Sequence, residues 1–99
     1  MMDINYELYK VFYYVATSLS FSEASKQLYI SQSAVSQSIK TLEKRLNQNL
    51  FIRSTKKVRL TPEGEILLRH IEPAINLIKR GENQILEANN LGGGQMRIG

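Results

Sequence analysis

Residues 20–46 read SFSEASKQLYISQSAVSQSIKTLEKRL, and the pattern predicts two short helices joined by a tight turn. In the second half Val35, Ile39, Leu42 and Leu46 recur at steps of four, three and four, which places them on one helical face. Ser33, Ser36, Gln37, Lys40 and Lys44 fall on the opposite face. Hydroxyls, amides and amines on short or flexible stems suit base edges and phosphates better than they suit packing. A helix of this cross-section fits a DNA major groove while its apolar back is held by a core.

The neighbouring residues supply the frame. Ser20 and Glu23 have capping-box spacing for the first helix of the pair, with Ala24 and Leu28 turned inward. Ala24 is small enough to let the two helices cross closely. Tyr29-Ile30-Ser31 makes the turn, without the glycine such turns often contain, and Ser31 is placed to cap the helix that follows. Upstream, residues 5–18 predict a helix capped by Asn5 or Asp3, its apolar side built from Leu8, Val11, Phe12, Val15 and Leu19. Tyr6, Tyr9, Tyr13 and Tyr14 flank that stripe, as packing residues with wet hydroxyls.

Downstream, Asn47-Gln48-Asn49 ends the third helix, with Asn47 suited to a left-handed cap. Leu50–Arg53 and Lys57–Leu60 read as two strands, with Ser54-Thr55-Lys56 at the hairpin tip. A lone hairpin is marginal in water, so this one must lean on the helices through Leu50, Phe51 and Leu60. Its cations Arg53, Lys56, Lys57 and Arg59 sit where a wing straddles a nucleic-acid backbone. Thr61-Pro62 then opens a long helix, Thr as cap and Pro at the first position, with Glu63 and Glu65 in the first turn. Its stripe of Leu67, Ile71, Ile75, Ile78 and Ile85 outruns the core that three small helices offer, so a second copy of the same helix is the economical partner. Pro73 lies inside the stripe, where either a kink or a break between two helices fits. Asn89–Gly94 reads as a helix end and flexible joint, and Gln95–Gly99 as the start of a strand. The expected division is therefore a winged unit over 1–61, a linker and dimerisation helix over 62–90, and a hinge over 91–99 leading into a missing further domain.

Composition sets limits on function. Of the 99 residues 42% are apolar and 22% charged, which suits a small folded domain, and no cysteine is present for disulfides or thiolate metal sites. No apolar run approaches the roughly 20 residues of a membrane span, and the first residues lack a secretory pattern, so a cytoplasmic protein is expected. The net charge of +4 is unevenly spread. Between residues 31 and 59 seven cations (Lys40, Lys44, Arg45, Arg53, Lys56, Lys57 and Arg59) face the single acid Glu43, a local +6, while each flank carries −1. A basic block coinciding with a two-helix motif is the footprint of a polyanion binder.

These residues resemble the N-terminal DNA-binding part of the LysR-type transcriptional regulators. The likeness is carried by Phe12 with Val15-Ala16, Ser20-Phe21-Ser22 with Ala24, Leu28, and Ser31-Gln32 with Ala34-Val35-Ser36. It continues through Ile39, Leu42-Glu43, Leu46, Leu50-Phe51 with Arg53, and Leu60-Thr61-Pro62 with Gly64, covering about residues 6–90. Met96-Arg97-Ile98-Gly99 resembles the first strand of the family's effector domain. The resemblance implies a mainly α fold, a winged helix-turn-helix followed by a long linker helix. That helix pairs antiparallel into a dimer, with tetramers in full-length proteins, an interrupted palindrome as operator and a small-molecule effector held by the C-terminal domain. It also implies that Gln32, Ser33, Ser36 and Gln37 face bases or nearby phosphates, and that Lys40 and Arg53 hold the DNA backbone. Three positions depart from the family's habit: Ser25 replaces a second Ala, Ser33 stands where Pro is common, and Asn47 where Gly is common. The base preference at Ser33 is therefore not carried over.

Two rival classes stand against this reading. An enzyme lacks parts: His70, the only histidine, lies on the long helix, and no acidic pair stands at a fixed short spacing from a base. Gly92-Gly93-Gly94 follows a helix rather than preceding one, so it is no phosphate loop, and no cofactor is expected. The stronger rival is a winged-helix module that dimerises or docks on proteins without touching DNA.

Overall fold

The computed structural model describes residues 5–54 and 57–96, with side chains through residue 89. Four helices and one hairpin follow in the order α1 Tyr6–Ser18, α2 Phe21–Leu28, α3 Gln32–Leu46, β1 Phe51–Arg53, β2 Val58–Leu60 and α4 Pro62–Met96. The hairpin is antiparallel with Phe51 opposite Leu60, Ile52 opposite Arg59 and Arg53 opposite Val58. This is a winged helix-turn-helix with a long trailing helix, as expected. The tip residues 55–56 and the terminal residues 97–99, expected as part of a strand, lie outside the described residues.

Each helix boundary has a local cause. Asn5 caps α1 by accepting from the Glu7 amide at 3.0 Å, and Ser31 caps α3 by accepting from the Ala34 amide at 3.1 Å. Ser20 caps α2 from the Glu23 amide at 3.0 Å, but the capping box is only half formed. The Glu23 carboxylate accepts from the Gln27 amide group at 3.2 Å, and the Ser20 amide goes to the Ser18 hydroxyl at 3.3 Å. Left-handed residues close the first three helices: Leu19 at φ 53°, Tyr29 at φ 59° and Asn47 at φ 55°. Leu19, expected on the inward face of α1, is instead that helix's cap and is exposed. Its backbone has already left the helix, so its side chain no longer follows the helical step.

The core gathers Leu8, Val11, Phe12, Val15 and Ala16 of α1, Ala24 of α2, Val35, Ile39 and Leu42 of α3, and Leu50 and Phe51 leading into the wing. Ala24 is fully buried, which lets α2 sit close against its neighbours. Ser25 is buried too, and its hydroxyl donates to the Ser22 carbonyl at 2.8 Å, so the extra oxygen is satisfied. Within the hairpin Phe51 and Leu60 face inward, while Ile52 and Arg59 face solvent.

The start of α4 is locked onto the wing. The buried Thr61 donates its hydroxyl to the Asn49 carbonyl at 2.7 Å and accepts from the Gly64 amide at 3.0 Å, while its own amide reaches the Leu50 carbonyl at 3.0 Å. Gly64 permits this approach: a β-carbon there would collide with the Leu50 carbonyl oxygen and lie 2.9 Å from Leu60 Cδ2. Glu43 completes the junction, its Oε2 accepting from the amides of Leu50 at 2.8 Å and Phe51 at 3.3 Å.

Two features of α4 differ from the sequence expectation. The helix is continuous through Pro73, so of the two options there the break is not taken, and its backbone carries on through Asn89–Gly94, where an end and a joint were expected, as far as Met96, which with Gln95 was expected to begin a strand. Its apolar stripe is also divided. Ile75 is only 3% exposed within its own chain, and Leu67 and Ile71 pack against the same core, forming an apolar groove with Tyr6 and Tyr9. Periodicity identifies an inward face but not which surface it meets, and α1 takes the first half. Ile78 and Ile85, with Leu77 and Leu86, remain exposed.

Candidate nucleic-acid interface

The interface is built on α3. Val35 and Ile39 are fully buried, Leu42 almost so, and Leu46 packs at the margin of the core. These anchors settle which face of α3 meets solvent. Gln32, Ser33, Gln37, Lys40 and Lys44 are exposed and Ser36 is half-buried, on the helix's first three turns and just beyond. Ser33 Oγ lies 3.1 Å from Ser31 Oγ, and Gln37 Nε2 is 3.5 Å from the Thr41 hydroxyl, so both polar ends have loose partners that a ligand can replace. The first turn of α3 holds no acid, which leaves the positive end of its dipole uncompensated by side-chain charge.

The wing carries further positive charge. Lys57 and Arg59 are exposed; Lys56 lies outside the described residues. The Lys57 backbone is fixed by Ser54, whose amide donates to the Lys57 carbonyl at 2.9 Å and whose Oγ accepts from the Lys57 amide at 3.0 Å. Arg53 is exposed on the side of the hairpin that also carries Phe51 and Val58, and its guanidinium sits 4.0 Å above the centre of the Phe21 ring at the start of α2. A cleft between the wing and the start of α2, lined by Ser20, Phe21, Ser54, Lys57 and Arg59 among others, opens beside it. Glu43, the single acid in the basic block, points its carboxylate into backbone amides, so it answers a structural need there.

Two aromatic residues that the sequence does not single out stand near these groups. Phe21 was noted only as part of a motif, because stacking between a wing cation and a ring 32 positions earlier requires the fold. Tyr29 was read as a turn residue; it is 94% exposed beside the start of α3, and an aromatic residue standing alone between two helical patterns was the available signal. His70 is exposed, with Nδ1 2.9 Å from the Ile66 carbonyl, a surface helix residue as expected.

Known proteins share this arrangement. Residues 6–65 match the family described as bacterial regulatory helix-turn-helix proteins of the lysR family. A probable RuBisCO transcriptional regulator of Emiliania huxleyi is 39% identical over 80 residues, which is 81% of this chain and 26% of that protein. The chain thus spans about a quarter of the length of the curated relatives it matches. Among solved structures, an OxyR mutant of Corynebacterium glutamicum in its H2O2-bound form superposes with a TM-score of 0.82 at 30% identity, covering 93% of this chain and 28% of that one. The CbnR DNA-binding domain in complex with DNA superposes with a TM-score of 0.74 at 26% identity, covering 86% of this chain and 98% of that one. With the family match spanning more than half its residues, this chain belongs to the LysR family of bacterial regulatory helix-turn-helix proteins.

Proposed function

We propose that the chain is the sequence-specific, double-stranded-DNA-binding part of a transcriptional regulator acting in the cytoplasm. The observation that carries this reading is the division of α3 into a fully buried edge (Val35, Ile39) and an exposed polar edge (Gln32, Ser33, Gln37, Lys40). With its back pinned, α3 enters the major groove, where Gln32, Ser33, Ser36 and Gln37 meet base edges or adjacent phosphates. Lys40, Arg53, Lys56 and Lys57 hold the backbone. The winged unit over residues 1–61 is the reader, and the part of α4 over residues 62–90 joins two copies through Ile78 and Ile85 and their exposed neighbours. Leu67, Ile71 and Ile75 are shared between the chain's own core and the margin of that contact. Two readers then address an interrupted palindrome from one side of the duplex, about 34 Å apart or a multiple of it. In the longer protein a C-terminal domain takes a small-molecule effector and extends the dimer to a tetramer.

Fluorescence anisotropy on duplex DNA across a salt series tests this. If roughly five phosphates are neutralised per half-site, log K falls by ~0.9 per contact against log salt. Gln37→Ala relaxes base choice at one position, costing on the order of 1–3 kcal/mol there, while Arg53→Ala weakens all duplexes alike. Absence of binding at low salt would overturn the reading and leave a protein-docking module.

A further inference from the structure

The Arg53 side chain is exposed, yet its guanidinium is not a free arm. It lies 4.0 Å over the Phe21 ring, which meets Phe51 at 5.9 Å edge-on, and Phe51 in turn meets the fully buried Phe12 at 5.4 Å. A ladder of three rings therefore runs from the centre of the core to a cation at the edge of the interface. Among the described residues the guanidinium is in no ion pair. We propose that Phe21 is a positioning residue for DNA binding, holding the Arg53 guanidinium in its phosphate-binding pose before DNA arrives; this rests on the reading of Arg53 as a phosphate contact.

The chemistry favours a ring for this task. A cation within about 6 Å of a ring centre is attracted to the ring face. Stacking occupies one face of the planar group and leaves the in-plane N–H donors free for two parallel bonds to a phosphate. A carboxylate in the same place would consume those donors and cancel the charge. Arginine also loses much rotamer freedom when it is fixed, and a pose set in the free protein moves that loss out of the binding step. Phe21 itself is fixed because it is the first residue of α2, immediately after the Ser20 cap, and half-buried against the core.

The test combines a double-mutant cycle, salt slopes and a spectroscopic reading. Phe21→Leu is expected to weaken specific and non-specific duplexes alike, about two- to fivefold, the range of an exposed cation–π contact. Its salt slope stays at the wild-type value, because Arg53 still neutralises its phosphate once bound. Arg53→Ala lowers affinity and flattens the slope by ~0.9, and Phe21→Leu in that background brings no further loss. Phe21→Tyr, which keeps the ring face, retains wild-type affinity. The Arg53 side-chain proton resonances are shifted upfield by the ring in the free wild-type chain and stay so with DNA bound. Equal losses from Phe21→Leu in both backgrounds would overturn the proposal, as would the absence of the upfield shift, which needs no variant to measure. If Arg53→Ala leaves affinity and slope untouched, the phosphate reading of Arg53 falls first and takes the proposal with it.

Discussion

Replacing Gly64 by Ala tests how α4 is seated. The substitution ordinarily favours a helix by about 1 kcal/mol. Here the new methyl collides with the Leu50 carbonyl oxygen, 3.2 Å from the attached carbon, and crowds Leu60 Cδ2 at 2.9 Å. The Leu50 carbonyl cannot yield freely, since it accepts from the Thr61 amide and Leu50 is itself buried. Overfilling a packed site costs about 1–3 kcal/mol. Loosening one or two of the Thr61 hydrogen bonds adds about 0.5–1.5 kcal/mol each. After the helix gain, the net loss is about 0.5–5 kcal/mol, a fall in Tm of at least ~2 °C for a chain of this size. Gly81 is the internal control, because nothing lies within 4 Å of a β-carbon there. Gly81→Ala should raise stability by about 0.5–1 kcal/mol. Thermal melts followed by circular dichroism, at one protein concentration so that association does not intrude, compare the two. A Gly64→Ala variant as stable as wild type, or stabilised like Gly81→Ala, would refute the tight seating of α4 on the wing.

Three further outcomes are expected. Glu43→Ala orphans the amides of Leu50 and Phe51 and should cost about 1–3 kcal/mol in urea denaturation, with faster hydrogen exchange at both amides; a neutral result would mean that carboxylate is incidental. Ile75→Ala should destabilise the single chain by about 2–5 kcal/mol, whereas Ile85→Glu should leave the fold intact and abolish self-association in analytical ultracentrifugation. The same behaviour from both variants would contradict the division of the α4 stripe. Pro73→Ala returns an amide donor to the middle of α4 and should stabilise the chain by on the order of 1–3 kcal/mol; no gain in the melt would show that the helix already accommodates the ring without cost.

What the sequence discloses depends on how far apart the cooperating residues lie. The buried edge of α3 was legible because steps of three and four need only helical geometry, and Val35, Ile39 and Leu42 are buried accordingly. Ser31, Asn47 and Thr61 were legible as caps because their partners sit within a few residues. Leu19 misled, since whether a helix takes one more residue is settled by the next element and not by the side chain's polarity. The two-part fate of Leu67–Ile85 was hidden for a related reason: a stripe carries no label for the surface that opposes it. Glu43 bonding to the Leu50 amide spans seven positions across a turn, and Arg53 over Phe21 spans 32, so neither leaves a periodic trace. Of the interface, the residue types and their shared face could be read in advance, but the pose of the wing cation could not.

The lock between Thr61, Gly64 and Leu50 has a mechanical consequence. Thirty-five helical residues at ~1.5 Å each make a rod about 50 Å long, clamped at its base with little slack. The molecule is built like a hammer, so a twist of the handle carries the striking end through an arc. A swivel of ~10° at the far tip displaces the base by ~9 Å, or nearly three steps of a duplex rising ~3.4 Å per pair. In the proposed dimer, where two handles cross, their angle becomes a vernier for the gap between recognised sequences, and a modest torque there is enough to re-aim both ends.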